Sequence, residues 1–173
     1  MAPFPAGIGA AMRRLLVVRH GSAAGKATGG SDRERPLTPE GRRAVRELGE
    51  RLRSDGIEPD LVLCSPAQRT RETLSLLGTA LTRLPPAEFD EDLYLADACT
   101  LLDHLHAAPG GTRCLLLVGH NPGLEELARG LAGSGSTALD AGLPAAGLAI
   151  FEISGAWSGL SPSSARLAAF AGP

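Results

Sequence analysis

The sequence predicts a single α/β domain of three layers, α/β/α, built on a mostly parallel central sheet. Two observations lead there. Short apolar runs recur at 15–19 (LLVVR), 61–64 (LVLC) and 114–119 (CLLLVG), each followed by a stretch with helical periodicity. The chain has 173 residues, 43% of them hydrophobic, which suits one domain able to bury a core without disulfide or metal.

Residues 15–19 read as a buried strand, short and apolar on both faces. A Gly/Ser/Ala loop with interspersed charges follows, over 21–36. Thr38-Pro39-Glu40 opens a helix: Thr38 caps it, Pro39 takes the first helical position, and Glu40 sits at the positive dipole end. Ala44, Leu48 and Leu52 recur four residues apart, and Gly56 ends the helix. After the second strand, Ser65-Pro66 starts another helix, with Leu74, Leu77 and Leu81 on one face. Pro85-Pro86 breaks the chain ahead of an acidic stretch at 88–92. A helix is expected over 97–106, and another over 122–131 after the third strand. Residues 133–136 form a Gly/Ser loop, and 148–153 and 165–170 are the last strands, separated by a turn around Trp157.

Composition excludes several classes. A net charge of −2 and six aromatic residues do not suit a cationic nucleic-acid binder or a base-stacking platform. No apolar stretch approaches the roughly 20 residues of a membrane helix. Cys64, Cys99 and Cys114 are an odd, scattered set without a CxxC pair, as in a reduced, cytoplasmic protein. Residues 1–12 lack a basic leader ahead of their apolar part and read as a disordered extension, leaving 13–173 as the domain. The cations are sixteen arginines and one lysine, Lys26. Arg42, Arg43, Arg46, Arg51 and Arg53 decorate a solvated helix face, so position must identify the functional ones.

The chemistry lies at the strand ends. The first strand runs into Arg19-His20-Gly21, the second into Ser65-Pro66 with Arg69 in the first helical turn, and the third into Gly119-His120-Asn121-Pro122. Ligands of open parallel sheets bind outside the carboxyl ends of the strands, so two histidines and two arginines converge on one crevice. Other motifs fail. GSAAGK at 21–26 lacks a residue between its glycines and the following Ser/Thr of a phosphate-binding P-loop. Cys64 and Arg69 are one residue too close for a cysteine phosphatase. His104 and His106 diverge on a helix and suggest no metal.

The Arg19-His20-Gly21, Ser65-to-Thr73 and Gly119-His120-Asn121-Pro122 motifs together resemble the histidine phosphatase superfamily, whose fold is phosphoglycerate mutase-like. Arg35-Pro36-Leu37-Thr38-Pro39-Glu40-Gly41 and the GHNPG sequence look most like SixA-type phosphohistidine phosphatases. The resemblance implies a metal-independent phosphatase without cofactor. His20 would attack phosphorus, Arg19 and Arg69 would hold the phosphoryl oxygens, and His120 would donate a further hydrogen bond. It also implies phosphate or substrate contacts from Gly21, Arg35 and Asn121. Arg71, on another helix face than Arg69, is expected in solvent or paired with an acid. The Leu-x-Glu that carries the acid in many relatives is replaced by Leu93-Tyr94-Leu95, leaving Asp97, Asp92 and Asp32 as general-acid candidates. The short stretch between Ala96 and Gly111 provides little lid, so the pocket should be open. The implied partner is a phosphorylated protein of the histidine phosphotransfer type, with neither nucleic acid nor membrane. A phosphatase of small phosphate esters and a non-catalytic phosphate-binding module on the same fold are the alternatives.

Overall fold

In the computed structural model, which describes residues 12–25, 30–133 and 137–173, the three apolar runs lie side by side. Strand β1 (Arg13–Arg19) pairs in parallel with β4 (Cys114–Gly119), which pairs in parallel with β2 (Leu61–Cys64). A two-residue strand, β3 (Glu88–Phe89), extends the parallel side beyond β2. On the opposite side of β1, β5 (Leu148–Ile153) and β6 (Ala165–Ala171) run antiparallel, giving the order β3-β2-β4-β1-β5-β6.

Four helices cover the two faces: α1 (Pro39–Ser54), α2 (Gln68–Ala80), α3 (Ala98–His106) and α4 (Gly123–Ala132). Alternate residues of each strand point to opposite faces. Leu16, Val18, Leu116 and Val118 therefore pack with Val45, Leu48, Leu52 and Leu77 of α1 and α2. Leu15, Val17, Leu115 and Leu117 pack with Leu101, Leu105, Leu124 and Leu127 of α3 and α4. Strands buried on both faces need continuous apolar sequence, which is why these runs stand out.

Several boundaries differ from the sequence expectation. The second helix begins at Gln68 rather than at Ser65-Pro66, because Ser65 continues the strand direction by donating its amide to Val118 O at 3.0 Å. Strand β3 falls in the acidic stretch, where both its residues are exposed and no apolar signal marks it. Of the extension expected to be disordered, residues 1–11 lie outside the described residues, whereas Met12 is placed, its sulfur accepting from the Ser154 hydroxyl at 3.5 Å. Residues 134–136 of the expected Gly/Ser loop also lie outside them. Among the described residues no helix is long and apolar enough to cross a membrane.

The loop leaving β1 lies directly on the first turn of α1. Thr38 Oγ1 accepts from Gly41 N at 3.0 Å, capping α1 as its sequence suggests. A Cβ on Gly41 would lie 2.2 Å from Ser22 O, so backbone meets backbone there. Gly41→Ala must push that loop off the helix, and the expected cost is about 1–3 kcal/mol. Urea unfolding should show a lower midpoint at unchanged slope; an unchanged midpoint contradicts this packing.

Candidate active site

Parallel register aligns the functional side chains. Arg19 pairs with Gly119, so the next residues, His20 and His120, leave their strands together, and His20 N donates to Gly119 O at 3.2 Å. Their imidazole rings meet edge to face with centroids 5.1 Å apart. Ser65 leaves β2 one position earlier, level with Gly119, and its Oγ lies 2.7 Å from His120 Nε2.

His20 is held by a closed circuit of hydrogen bonds. Its Nδ1 lies 2.7 Å from Gly21 O, and a carbonyl can only accept, so Nδ1 carries the proton and Nε2 the lone pair. Gly21 N donates to Thr73 Oγ1 at 3.1 Å, Thr73 Oγ1 donates to Arg69 O at 2.7 Å, and Arg69 Nε donates to His20 Nε2 at 3.3 Å. Burial, reinforced by Arg69, Arg19 and Arg35 and opposed by the Gly21 bond, lowers the His20 pKa to about 4. His120 is lowered to about 3, by burial first and then by Arg69, His20 and Arg19. Both rings are therefore neutral at pH 7.

Around them stand guanidiniums. Arg69, buried in the first turn of α2, also donates through Nη1 to Asp32 O at 2.7 Å and through Nη2 to Asp32 Oδ2 at 3.1 Å. Arg19 donates through Nη1 to Leu143 O at 2.8 Å, while its Nε is buried without a hydrogen-bond partner among the described residues. Arg35, half-buried at the mouth, donates to Ala24 O at 2.6 Å and to Asp32 Oδ1 at 2.9 Å. Arg71 lies outside this group. It is exposed, bonds Pro66 O at 2.9 Å and stacks 4.3 Å over the Phe89 ring, so its partners are a carbonyl and an arene rather than an acid.

Two expected phosphate contacts have other duties. The Gly21 amide is committed to Thr73, and glycine is required there because a Cβ would lie 2.8 Å from Gly41 O and 2.9 Å from Val45 Cγ2. Asn121 Nδ2 donates to Glu125 Oε2 at 2.9 Å and to Leu143 O at 3.0 Å, and Glu125 also accepts from Leu143 N at 3.1 Å. Asn121 thus braces the loop that holds Arg19.

The three general-acid candidates stand in different surroundings. Asp32 reaches the site, but hydrogen bonds from Arg35 and Tyr94 and the charge of Arg69 hold its carboxyl well below the usual carboxylate range. It is an ionised acceptor in the free protein. Asp97 caps α3, its carboxylate accepting from Thr100 N at 2.8 Å. Asp92 is exposed in the short turn Glu91–Leu93, and no hydrogen bond or ion pair among the described residues joins its carboxylate to the histidines. His104 bonds Thr100 O and Asp90, and His106 bonds Leu160 O, in keeping with structural roles. Among the described residues no group of His, Cys, Asp or Glu is arranged to hold a metal.

Sequence reasoning missed Tyr94, Ser65 as a partner of His120, and Glu125. Tyr94 OH donates to Asp32 Oδ2 at 2.8 Å, and its ring packs edge to face on His120 with centroids 5.5 Å apart. Burial and the Asp32 carboxylate raise its phenol above the ordinary value, keeping it a donor. Its being the single tyrosine, in the place where an acid was sought, was the available signal. Together these groups set a neutral imidazole beside cationic forks, an arrangement that fits an oxyanion.

The comparisons with known proteins agree. The model of the histidine phosphatase superfamily (branch 1) matches residues 15–94. An uncharacterized protein of Mycobacterium tuberculosis H37Rv is 34% identical over 159 residues, covering 88% of this chain and 98% of that one. A Nakamurella multipartitia structure assigned as the phosphohistidine phosphatase SixA superposes with TM-score 0.83 at 30% identity, over 95% of this chain and 98% of the other. The structure of the protein histidine phosphatase SixA complexed with tungstate superposes with TM-score 0.77 at 26% identity, over 91% and 95%. The fold is phosphoglycerate mutase-like, and the chain belongs to the histidine phosphatase superfamily.

Proposed function

We propose that this protein is a phosphatase that removes phosphate from phosphohistidine on a protein partner, through a phosphorylated His20. The observation that carries this reading is the pair of bonds on His20: Nδ1–H to Gly21 O at 2.7 Å and Arg69 Nε–H to Nε2 at 3.3 Å. They hold a neutral ring with its nucleophilic nitrogen beside a guanidinium. On substrate binding the Arg69 Nε–H leaves the Nε2 lone pair for a phosphoryl oxygen. Nε2 then attacks phosphorus as the bond to the leaving nitrogen breaks, while Arg19 and Arg69 meet the charge on the phosphoryl oxygens. The phosphorylated ring keeps its proton on Nδ1 against Gly21 O. When water attacks phosphorus, His20 departs as neutral imidazole, and phosphate leaves.

The ionised state of Asp32 supports the choice of substrate. An alkoxide leaving group needs a proton donor, and Asp32, the one candidate carboxyl at the site, is ionised. A phosphohistidine protonated on its free ring nitrogen departs as neutral imidazole without help. A protein-borne substrate is favoured by the mouth. The stretch between Ala96 and Gly111 forms α3 on the sheet face and a turn rather than a lid. Phe89 and Leu95, 45% and 51% exposed, are the large hydrophobic residues left in solvent among the described residues, and Leu95 follows Tyr94 directly in sequence. Leu95 also holds a φ of 53°, a left-handed conformation that leucine rarely adopts. Leu95, exposed and next to Tyr94, is the apolar contact proposed for a partner surface.

Two measurements test the proposal. In a panel of phosphorylated phosphotransfer domain, phosphohistidine peptide and sugar phosphates, kcat/KM is expected to favour the domain over the sugar phosphates by about a hundredfold or more. Leu95→Asp should cost roughly tenfold on the domain and leave the free phosphohistidine rate in place, since tenfold corresponds to about 1.4 kcal/mol of lost contact. Sugar phosphates ahead by orders of magnitude would reverse the assignment. The second is an NMR titration of the free protein. The lowered pKa keeps His20 neutral down to about pH 4, so the nucleophilic form is lost only as pH falls through that value, not through the ordinary 6.5. Arg69→Gln removes a cation and should move the midpoint up; a wild-type midpoint near 6.5 contradicts the assigned environment.

A further inference from the structure

The Ser65–His120 pair has a direction that its distance alone does not reveal. Both residues are buried, Ser65 fully and His120 to 3% exposure, with Oγ and Nε2 separated by 2.7 Å. The other ring nitrogen, His120 Nδ1, is buried without a hydrogen-bond partner among the described residues. A neutral imidazole carries one proton, so there are two arrangements. If the proton is on Nε2, it is donated to Ser65. The hydroxyl proton of Ser65 is then buried with no acceptor, because among the described residues Oγ bonds only His120. Nδ1 would present a lone pair, which cannot hold a phosphoryl oxygen. If Ser65 donates to Nε2 instead, the hydroxyl is satisfied and the imidazole proton must sit on Nδ1. The single unmatched group is then an N–H donor, on a ring 5.1 Å from that of His20 and among the same arginines. An unmatched buried donor is costly unless a ligand completes it.

We propose that Ser65 is a positioning residue: it donates its hydroxyl proton to His120 Nε2, holds the imidazole proton on Nδ1, and so makes His120 a hydrogen-bond donor to the phosphoryl group. The role of the phosphoryl group rests on the phosphatase reading above, but the position of the proton does not require turnover to be read. The arrangement parallels His20, where a carbonyl sets the opposite requirement: His20 must expose a lone pair, His120 a proton. Neighbouring hydroxyl and carbonyl groups assign the two neutral rings their different duties.

The test uses the full chain labelled with 15N-histidine. In the free protein at pH 7, His120 should show a protonated-type Nδ1 shift and a lone-pair-type Nε2 shift; the reverse pattern in the wild type overturns the proposal. Ser65→Ala should erode the Nδ1–H preference, weaken orthovanadate binding about tenfold and lower kcat more than it raises KM, as expected for a lost charge-assisted hydrogen bond. Ser65→Thr, which keeps the hydroxyl, should restore both tautomer and affinity. If Ser65→Ala leaves the tautomer unchanged while activity falls, Ser65 is only structural and the proposal fails. If the variants do not fold, the wild-type spectrum decides alone. A wild type with the Nδ1–H tautomer but no turnover of any phosphorylated substrate would uphold the Ser65 assignment and refute the phosphatase reading.

Discussion

Everything at the site depends on the parallel pairing of β1 with β4. The pairing opposes Arg19 to Gly119, and that register alone puts His20 beside His120. Leu15 to Val18 and Leu115 to Val118 are all fully buried, on alternating faces, so a slip of one residue would exchange the two core surfaces of a strand. The hydrophobic core therefore specifies the position of the imidazoles. Strand β2 joins through Cys64 opposite Val118, and this brings in Ser65 and, in the first turn of α2, Arg69.

Electrostatics then determine what the assembled groups can do. Burial and guanidiniums both act against a protonated imidazole, so the two histidines stay neutral. With the proton on Nδ1 in both, as proposed for His120, they differ in what Nδ1 meets: Gly21 O satisfies it in His20, while that of His120 is left for a ligand. The circuit from His20 through Gly21, Thr73 and Arg69 back to His20 links the imidazole to the cation beside it. Asp32 completes the frame from the other side. Its carboxylate receives Arg69, Arg35 and Tyr94, so it orients two guanidiniums and a phenol and remains charged while doing so. An acid tied up in this way supports the proposed phosphoramidate substrate, whose leaving group brings its own proton.

Local sequence made the frame legible. Continuous apolar runs marked the central strands, and Thr38-Pro39-Glu40 marked the start of α1. Arg19, His20, Arg69 and His120 could be grouped because each follows directly on a strand whose neighbours could be inferred. What escaped were partnerships across long separations in sequence. Tyr94 meets Asp32 across 62 residues, and Ser65 meets His120 across 55. The packing of Gly21 against α1 and the bond from Asn121 to Leu143 O were not legible either, because both depend on contacts distant in sequence. The two-residue β3 carries no apolar pattern, because an exposed edge pair has no face to bury.

The most direct test of the central claim is covalent. The protein should be mixed with a 32P-phosphohistidine protein substrate and quenched on the millisecond scale in alkali, where phosphohistidine survives. The expected result is one acid-labile phosphate on the chain, mapped to His20 and absent from His20→Ala, whose turnover should fall about a thousandfold or more. Turnover by His20→Ala at the wild-type rate, or label recovered on a different residue, would contradict the mechanism.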